Sequence, residues 1–300
     1  MSRPAAHENP TLTPWRVRRH APDQMDHVNV GGLRVAFARA GRGPLLVLLH
    51  GLVCDSRVWT RQLDELSDEF TVVAWDAPGC GESQDPPESF RLPDYADALA
   101  GLIAELDAGQ PHVLGHSFGG TLALELYRRH PAVPATLILV GASAGWAGSL
   151  PRSDVDRRLR FALDVADALP GGFEPRTMAG LFSQAMPPDT AERLVQVMSA
   201  ARPVATRVMA HALAETDLRD VLPSVDVPTL LLYGALDERS PPNVAEDLHR
   251  GIRASTLVLM SGLGHECYLE APERFDAEVR AFLRPLARGT RRSADADLQY

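Results

Sequence analysis

Residues 113–120 read Val-Leu-Gly-His-Ser-Phe-Gly-Gly. Within them Gly115-His116-Ser117-Phe118-Gly119 fits G-x-S-x-G, a spacing that sets one serine between two small residues. An apolar run from Pro111 to Leu114 precedes it, and a helix-like pattern from Thr121 to Arg129 follows. A strand that turns abruptly into a helix lifts one side chain to the apex of a strained turn. Glycines at 115 and 119 leave room for that turn, because a Cβ there would meet neighbouring backbone. Ser117 then projects its hydroxyl over the free N–H groups of a helix N-terminus. The competing use of such a segment is a Gly-rich turn whose serine only caps the helix; the strand–turn–helix context favours a nucleophile.

A serine is a weak nucleophile without a general base, and the base needs an orienting acid. Val227 to Gly234 reads as a buried strand that leads into Ala235-Leu236-Asp237. Thr256 to Met260 reads as another, followed by Ser261-Gly-Leu-Gly-His265. Ser117, Asp237 and His265 thus each sit just past the carboxyl end of a strand. In an open parallel sheet those ends share one edge, where ligands bind. Glu238 neighbours Asp237, but adjacent side chains point in different directions. The strand Ala135 to Val140 ends in Gly141-Ala142-Ser143 and offers no competing acid.

These segments resemble the α/β-hydrolase fold family, in the branch that carries a helical cap, over about residues 27–287. Leu45 to Leu49 with His50-Gly51 resembles the family's third strand and oxyanion loop. Asp76-Ala-Pro-Gly79-Cys-Gly81-Glu-Ser83 resembles its Asp-x-Pro/Arg-Gly-x-Gly-x-Ser turn, Gly234 to Asp237 its acid loop, and Gly264-His265 its base loop. The resemblance implies a mostly parallel, eight-stranded α/β sheet flanked by helices with a helical cap insertion. It also implies the chain order Ser, Asp, His for the triad. The oxyanion donors are then the amides of Phe118 and Leu52, with Val53 as the alternative to Leu52. Removing one such donor costs about 3–4 kcal/mol of transition-state stabilisation. His50 is expected to brace its loop and Asp76 to close a structural turn.

Strand and helix signals alternate from a hairpin at Val28 to Ala40, turned at Gly31-Gly32, through about residue 142. From 146 to 217 no strand run occurs; amphipathic stretches such as Val155 to Leu169 and Asp189 to Ala200 do. The expected organisation is an arm over 1–25, a core over 26–145 and 218–287, a cap over 146–217 and a frayed tail over 288–300. In and near the cap, His116, Trp146, Phe182 and Met186 are the candidate substrate-binding residues. Arg152, Arg157, Arg158 and Arg160 cluster early in the cap; they could attract a carboxylate substrate, but a solvated helix face is the favoured reading.

Thirty arginines, no lysine and 39 acidic residues give a formal charge of −9, which disfavours a nucleic-acid partner. No run of about twenty apolar residues suggests a membrane span. The first ten residues lack the apolar core of a signal peptide, and three cysteines make no disulfide framework, so a cytoplasmic setting is expected. No metal-ligand spacing stands out, and neither a cofactor nor a metal is expected. The expected activity is hydrolysis of a small, largely apolar ester, lactone or thioester. The alternatives are hydrolysis of a carbon–carbon bond in a ring-cleavage product, and cofactor-free lyase or oxygenase chemistry. Oligomeric state is left open.

Overall fold

The computed structural model describes residues 25–296 except 170, 171, 173, 182 and 184, and side chains through residue 286 except that of residue 177. The expected arm therefore lies outside the described residues apart from Met25. Eight strands are ordered β1(Asp26–Val30), β2(Leu33–Ala40), β4(Thr71–Trp75), β3(Leu45–Leu49), β5(His112–His116), β6(Thr136–Val140), β7(Thr229–Gly234) and β8(Ser255–Met260) across one sheet. Only β2 runs antiparallel to its neighbours; β4 through β8 pair in parallel. The hairpin joining β1 to β2 turns on Gly31 and Gly32, both at positive φ, the geometry that suits a two-residue connection.

The central strands are near-continuous apolar runs because both faces of the sheet are covered. Alternate residues enter opposite layers. Leu45, Val47, Leu49, Leu137, Leu139, Leu231 and Tyr233 face one layer, shared with α2(Leu92–Leu106), α3(Phe118–Arg129) and α8(Pro242–Gly251). Leu46, Leu48, Ile138, Val140, Leu230 and Leu232 face the other, with α1(Thr60–Leu66) and α10(Pro272–Ala296). Each fully buried leucine contributes about 1.5–3 kcal/mol, so register is firmly set where the strands end.

Between β6 and β7 the chain forms helices α4(Trp146–Ser149), α5(Arg152–Ala168), α6(Pro188–Ser199) and α7(Pro203–Glu215) and, among the described residues, no strand. Helices α5 and α6 match the two amphipathic stretches. Helix α7, not singled out from the sequence, buries Ala205, Thr206, Val208, Met209, Ala210, Ala212, Leu213 and Ala214 and keeps a narrow polar edge at Arg207, His211 and Glu215. Entry and exit of this segment are tied together: Leu218 N–H donates to Ala144 O at 2.9 Å and Gly148 N–H to Thr216 O at 3.2 Å. Helix α9(Cys267–Glu270) follows β8. The backbone of α10 is helical through Ala296 and so runs into the stretch expected as a tail. No described helix is long and apolar enough to cross a membrane.

Gly145 and Gly262 both sit at positive φ, 81 and 79. A Cβ on Gly145 would lie 2.1 Å from Thr216 O, whereas one on Gly262 meets nothing within 4 Å. Gly262→Ala should therefore show conformational strain alone, while Gly145→Ala adds a backbone clash of about 1–3 kcal/mol. Urea unfolding of both variants checks this; equal losses would contradict the clamp at Thr216.

Candidate active site

The turn after β5 begins with sterics. A Cβ on Gly115 would lie 2.1 Å from Gly119 O, and one on Gly119 would lie 2.3 Å from Leu49 O on the neighbouring strand β3. With both positions bare, α3 closes directly onto the strand ends. Ser117 then takes φ 52 and ψ −111, a region L-residues enter only when the surroundings enforce it, at about 1–3 kcal/mol. Its N–H donates to Val140 O at 2.8 Å, which fixes the turn to β6. Phe118 is the first residue of α3, so its amide has no intrahelical acceptor.

Asp237 and His265 meet because the acid and base loops are stitched together. Ala235 N–H donates to Met260 O at 2.9 Å and Leu236 N–H to Leu263 O at 2.8 Å. His265 Nδ1 lies 2.8 Å from Asp237 Oδ2. A carboxylate accepts, so Nδ1 carries the hydrogen and Nε2 keeps its lone pair. The other carboxylate oxygen, Oδ1, accepts from the Arg239 and Ser240 amides at 2.8 Å each. Glu270 Oε2 accepts from Gly264 N–H at 2.7 Å and pins the base loop. Ser117, Phe118, His265, Leu52 and Trp146 line one small cavity. Glu238 is exposed and stands outside that cavity.

His50 lies behind the loop that carries Leu52. Its Nδ1 donates to Gly51 O at 2.8 Å and its Nε2 accepts from Ala77 N–H at 3.1 Å. Acceptance at Nε2 requires the neutral ring, and burial pushes the His50 pKa down. Asp76 Oδ1 accepts from Ser56 N–H and Oδ2 from Glu82 N–H, each at 2.8 Å. It therefore ties the chain beyond the Leu52 loop to the Gly79–Gly81 turn. Val53 has φ 63, strained for a β-branched residue, and is 3 % exposed. Sequence reasoning weighed Val53 only as an alternative amide and had no signal for its backbone.

The substrate-binding expectations divide. Trp146 lines the small cavity and also a larger one of about 300 Å³ that adjoins it through Leu52, Arg158 and Arg239. Phe182 lies outside the described residues. Met186 requires correction: it lines neither cavity and is buried in an apolar cluster with Leu181, Leu194 and Met198, where packing satisfies it. His116 requires correction too. It is 2 % exposed, lines neither cavity, and donates from Nε2 to His265 O at 3.1 Å, so it buttresses the His265 backbone. The solvated arginine face is also corrected at Arg158, which turns inward to line both cavities. Cys54, Cys80 and Cys267 are buried, and burial raises all three thiols well above their usual range.

Among the described residues, His116, His265 and Glu266 have potential metal-ligating atoms within 4.8 Å of one another. His116 Nε2 and His265 Nδ1 are hydrogen-bonded, while His116 Nδ1 has no partner among the described residues. Glu266 is 2 % exposed, and its Oε2 has no hydrogen-bond partner among the described residues. Burial pushes its carboxyl from 4.5 up to about 7. The folded chain therefore binds more protons than the unfolded chain between those values, and stability falls as pH rises through that window. Glu266→Gln removes the titration and should raise Tm more at about pH 8 than at about pH 5. A thermal shift of equal size at both pH values would contradict this.

The alpha/beta hydrolase fold family model matches residues 44–272. A pimeloyl-[acyl-carrier protein] methyl ester esterase of Vibrio campbellii is 31% identical over 253 residues, covering 81% of this chain and 95% of the relative. The AB hydrolase superfamily protein YisY of Bacillus subtilis is 29% identical over 255 residues, covering 81% and 92%. A thermophilic esterase from Thermogutta terrifontis superposes with a TM-score of 0.79 at 31% identity, covering 87% of this chain and 98% of its own. The strand order, the sharp turn at Ser117 and these matches together place the chain in the alpha/beta hydrolase fold family, as a hydrolase enzyme.

Proposed function

We propose that the chain is a serine hydrolase that cleaves a small ester, lactone or thioester through an acyl-enzyme. The observation that carries this reading is the strained Ser117 in one cavity with His265, whose Nδ1 is held 2.8 Å from Asp237. Ser117 Oγ attacks the carbonyl carbon, and His265 Nε2 takes its proton. Asp237 keeps the ring in the productive tautomer and stabilises the imidazolium that forms. The Phe118 and Leu52 amides hold the oxyanion. His265 returns the proton to the leaving oxygen or sulfur, then activates water to release the acid. The apolar walls of the adjoining cavity, Trp146, Phe161, Val165 and Met178, suit a hydrocarbon portion of the substrate. The helices between β6 and β7 act as its cap. The esterases named above support the ester class.

Ser117→Ala should reduce ester turnover by roughly 10⁶, and a fluorophosphonate should label wild-type protein at Ser117. Asp237→Asn should cost about 10⁴ in kcat, whereas Glu238→Gln should change it little. Steady-state hydrolysis of p-nitrophenyl esters and mass spectrometry of the adduct check both. More than a few per cent of activity in Ser117→Ala, with no adduct on the wild type, would favour lyase or oxygenase chemistry instead.

A further inference from the structure

Arg158 and Arg239 line the small cavity together with Ser117 and His265, and both continue into the larger one. They come from separate parts of the chain: Arg158 from α5, Arg239 from the loop that carries Asp237. Arg158 donates to the Arg239 carbonyl at 2.8 Å, and Arg239 Nη1 donates to Ala179 O at 3.3 Å. Neither guanidinium has a carboxylate within ion-pair distance among the described residues. No nearby acid among them closes an ion pair with either one. Asp154 pairs with Arg157 at 2.6 Å, Asp237 with His265 at 2.8 Å, and Glu266 is buried behind the base. Glu238 borders only the larger cavity. Burial and the facing charge of Arg239 pull Arg158 down to about 10, so it stays charged at neutral pH.

Two half-buried like charges side by side are costly unless something compensates them. A guanidinium presents five donors in a planar fork that matches an oxyanion, and these two have most of theirs uncommitted. We propose that Arg158 and Arg239 form an anion subsite, and that the substrate is an ester or lactone bearing a carboxylate close to the scissile carbonyl. This rests on the serine-hydrolase reading of Ser117. The short reach follows from the cavity: the same small space holds the nucleophile, the base and both arginines. A monoanion fits better than a phosphoryl dianion, because Asp237 and Glu266 already act on these arginines and oppose a second negative charge. The walls Trp146 and Leu52 would hold the carbon chain between carboxylate and ester.

The test compares kcat/KM for monomethyl glutarate, methyl valerate and methyl 4-phosphonobutanoate, read as methanol release. Wild-type protein should prefer monomethyl glutarate over methyl valerate by at least about tenfold, and over the phosphonate. Arg158→Gln should lower kcat/KM for monomethyl glutarate at least about tenfold more than for methyl valerate. Arg158→Lys, which keeps the charge without the fork, should fall between. Calorimetry of monomethyl glutarate on Ser117→Ala protein reads the subsite without turnover, and Arg158→Gln in that background should weaken Kd by a similar factor. Binding without hydrolysis of any ester by the wild type would sink the hydrolase reading and leave the anion subsite standing. Equal rates on the charged and neutral esters, or an undiminished preference in Arg158→Gln protein with wild-type Tm, would overturn the subsite. Preference for the phosphonate would overturn the carboxylate assignment.

Discussion

The site depends on one very close packing contact. Helix α3 is driven onto the ends of β3 and β5 until the Cβ positions of Gly115 and Gly119 are filled by backbone atoms. That contact leaves Ser117 no ordinary conformation. It holds φ 52 because the strand behind it, the helix ahead of it and the bond from its N–H to Val140 O all constrain it at once. The helix N-terminus lies beneath the serine for the same reason, with the Phe118 amide free of an intrahelical acceptor. Strain, free amide and exposed hydroxyl are three consequences of one packing constraint.

Around that turn the loops of neighbouring strands are held by polar bonds, since none of them is regular enough to hold itself. His50 is a neutral bridge between Gly51 O and Ala77 N–H. Asp76 ties the segment at Ser56 to the turn at Glu82. Glu270 pins Gly264, and Asp237 spends one oxygen on its own loop amides before the other meets His265. Each of these groups is buried, so each bond is worth more than its surface counterpart, and losing one partner leaves an unsatisfied group. The second row behind His265 is less settled. His116 and Glu266 each keep an atom without a partner among the described residues, and the raised carboxyl of Glu266 makes that row sensitive to pH near neutrality.

The helices over the sheet edge close the cavity with mixed chemistry. Trp146, Phe161, Val165 and Met178 supply apolar wall, while Arg158 and Arg239 supply charge. The attachment is firm at its base, where Gly145 packs against Thr216 O and Leu218 bonds to Ala144. Arg202 at the start of α7 reaches back to Gly79 O at 2.8 Å, so the turn between β4 and α2 also supports the segment above.

The sequence by itself determined the sheet and the ends of its strands. Runs such as Leu45 to Leu49 and Thr136 to Val140 are apolar throughout because both of their faces are buried, and glycines at 115 and 119 announce a turn that nothing larger could make. Those local rules carried Ser117, Asp237 and His265 to one edge, since each comes in the loop after a strand. Tertiary structure alone decided where the side chains around them point. Helical periodicity placed Arg158 among solvated arginines, yet a neighbouring loop supplies Arg239 and a cavity to face. His116 stands beside the nucleophile in sequence but turns away from it, because strand neighbours alternate sides. Met186 is apolar enough for a pocket wall, but the core took it. Helix α7 keeps only a narrow polar edge at Arg207, His211 and Glu215, because the rest of its surface is covered by neighbours. These outcomes depend on what packs against each residue, and a neighbour distant in the chain leaves no mark on local pattern.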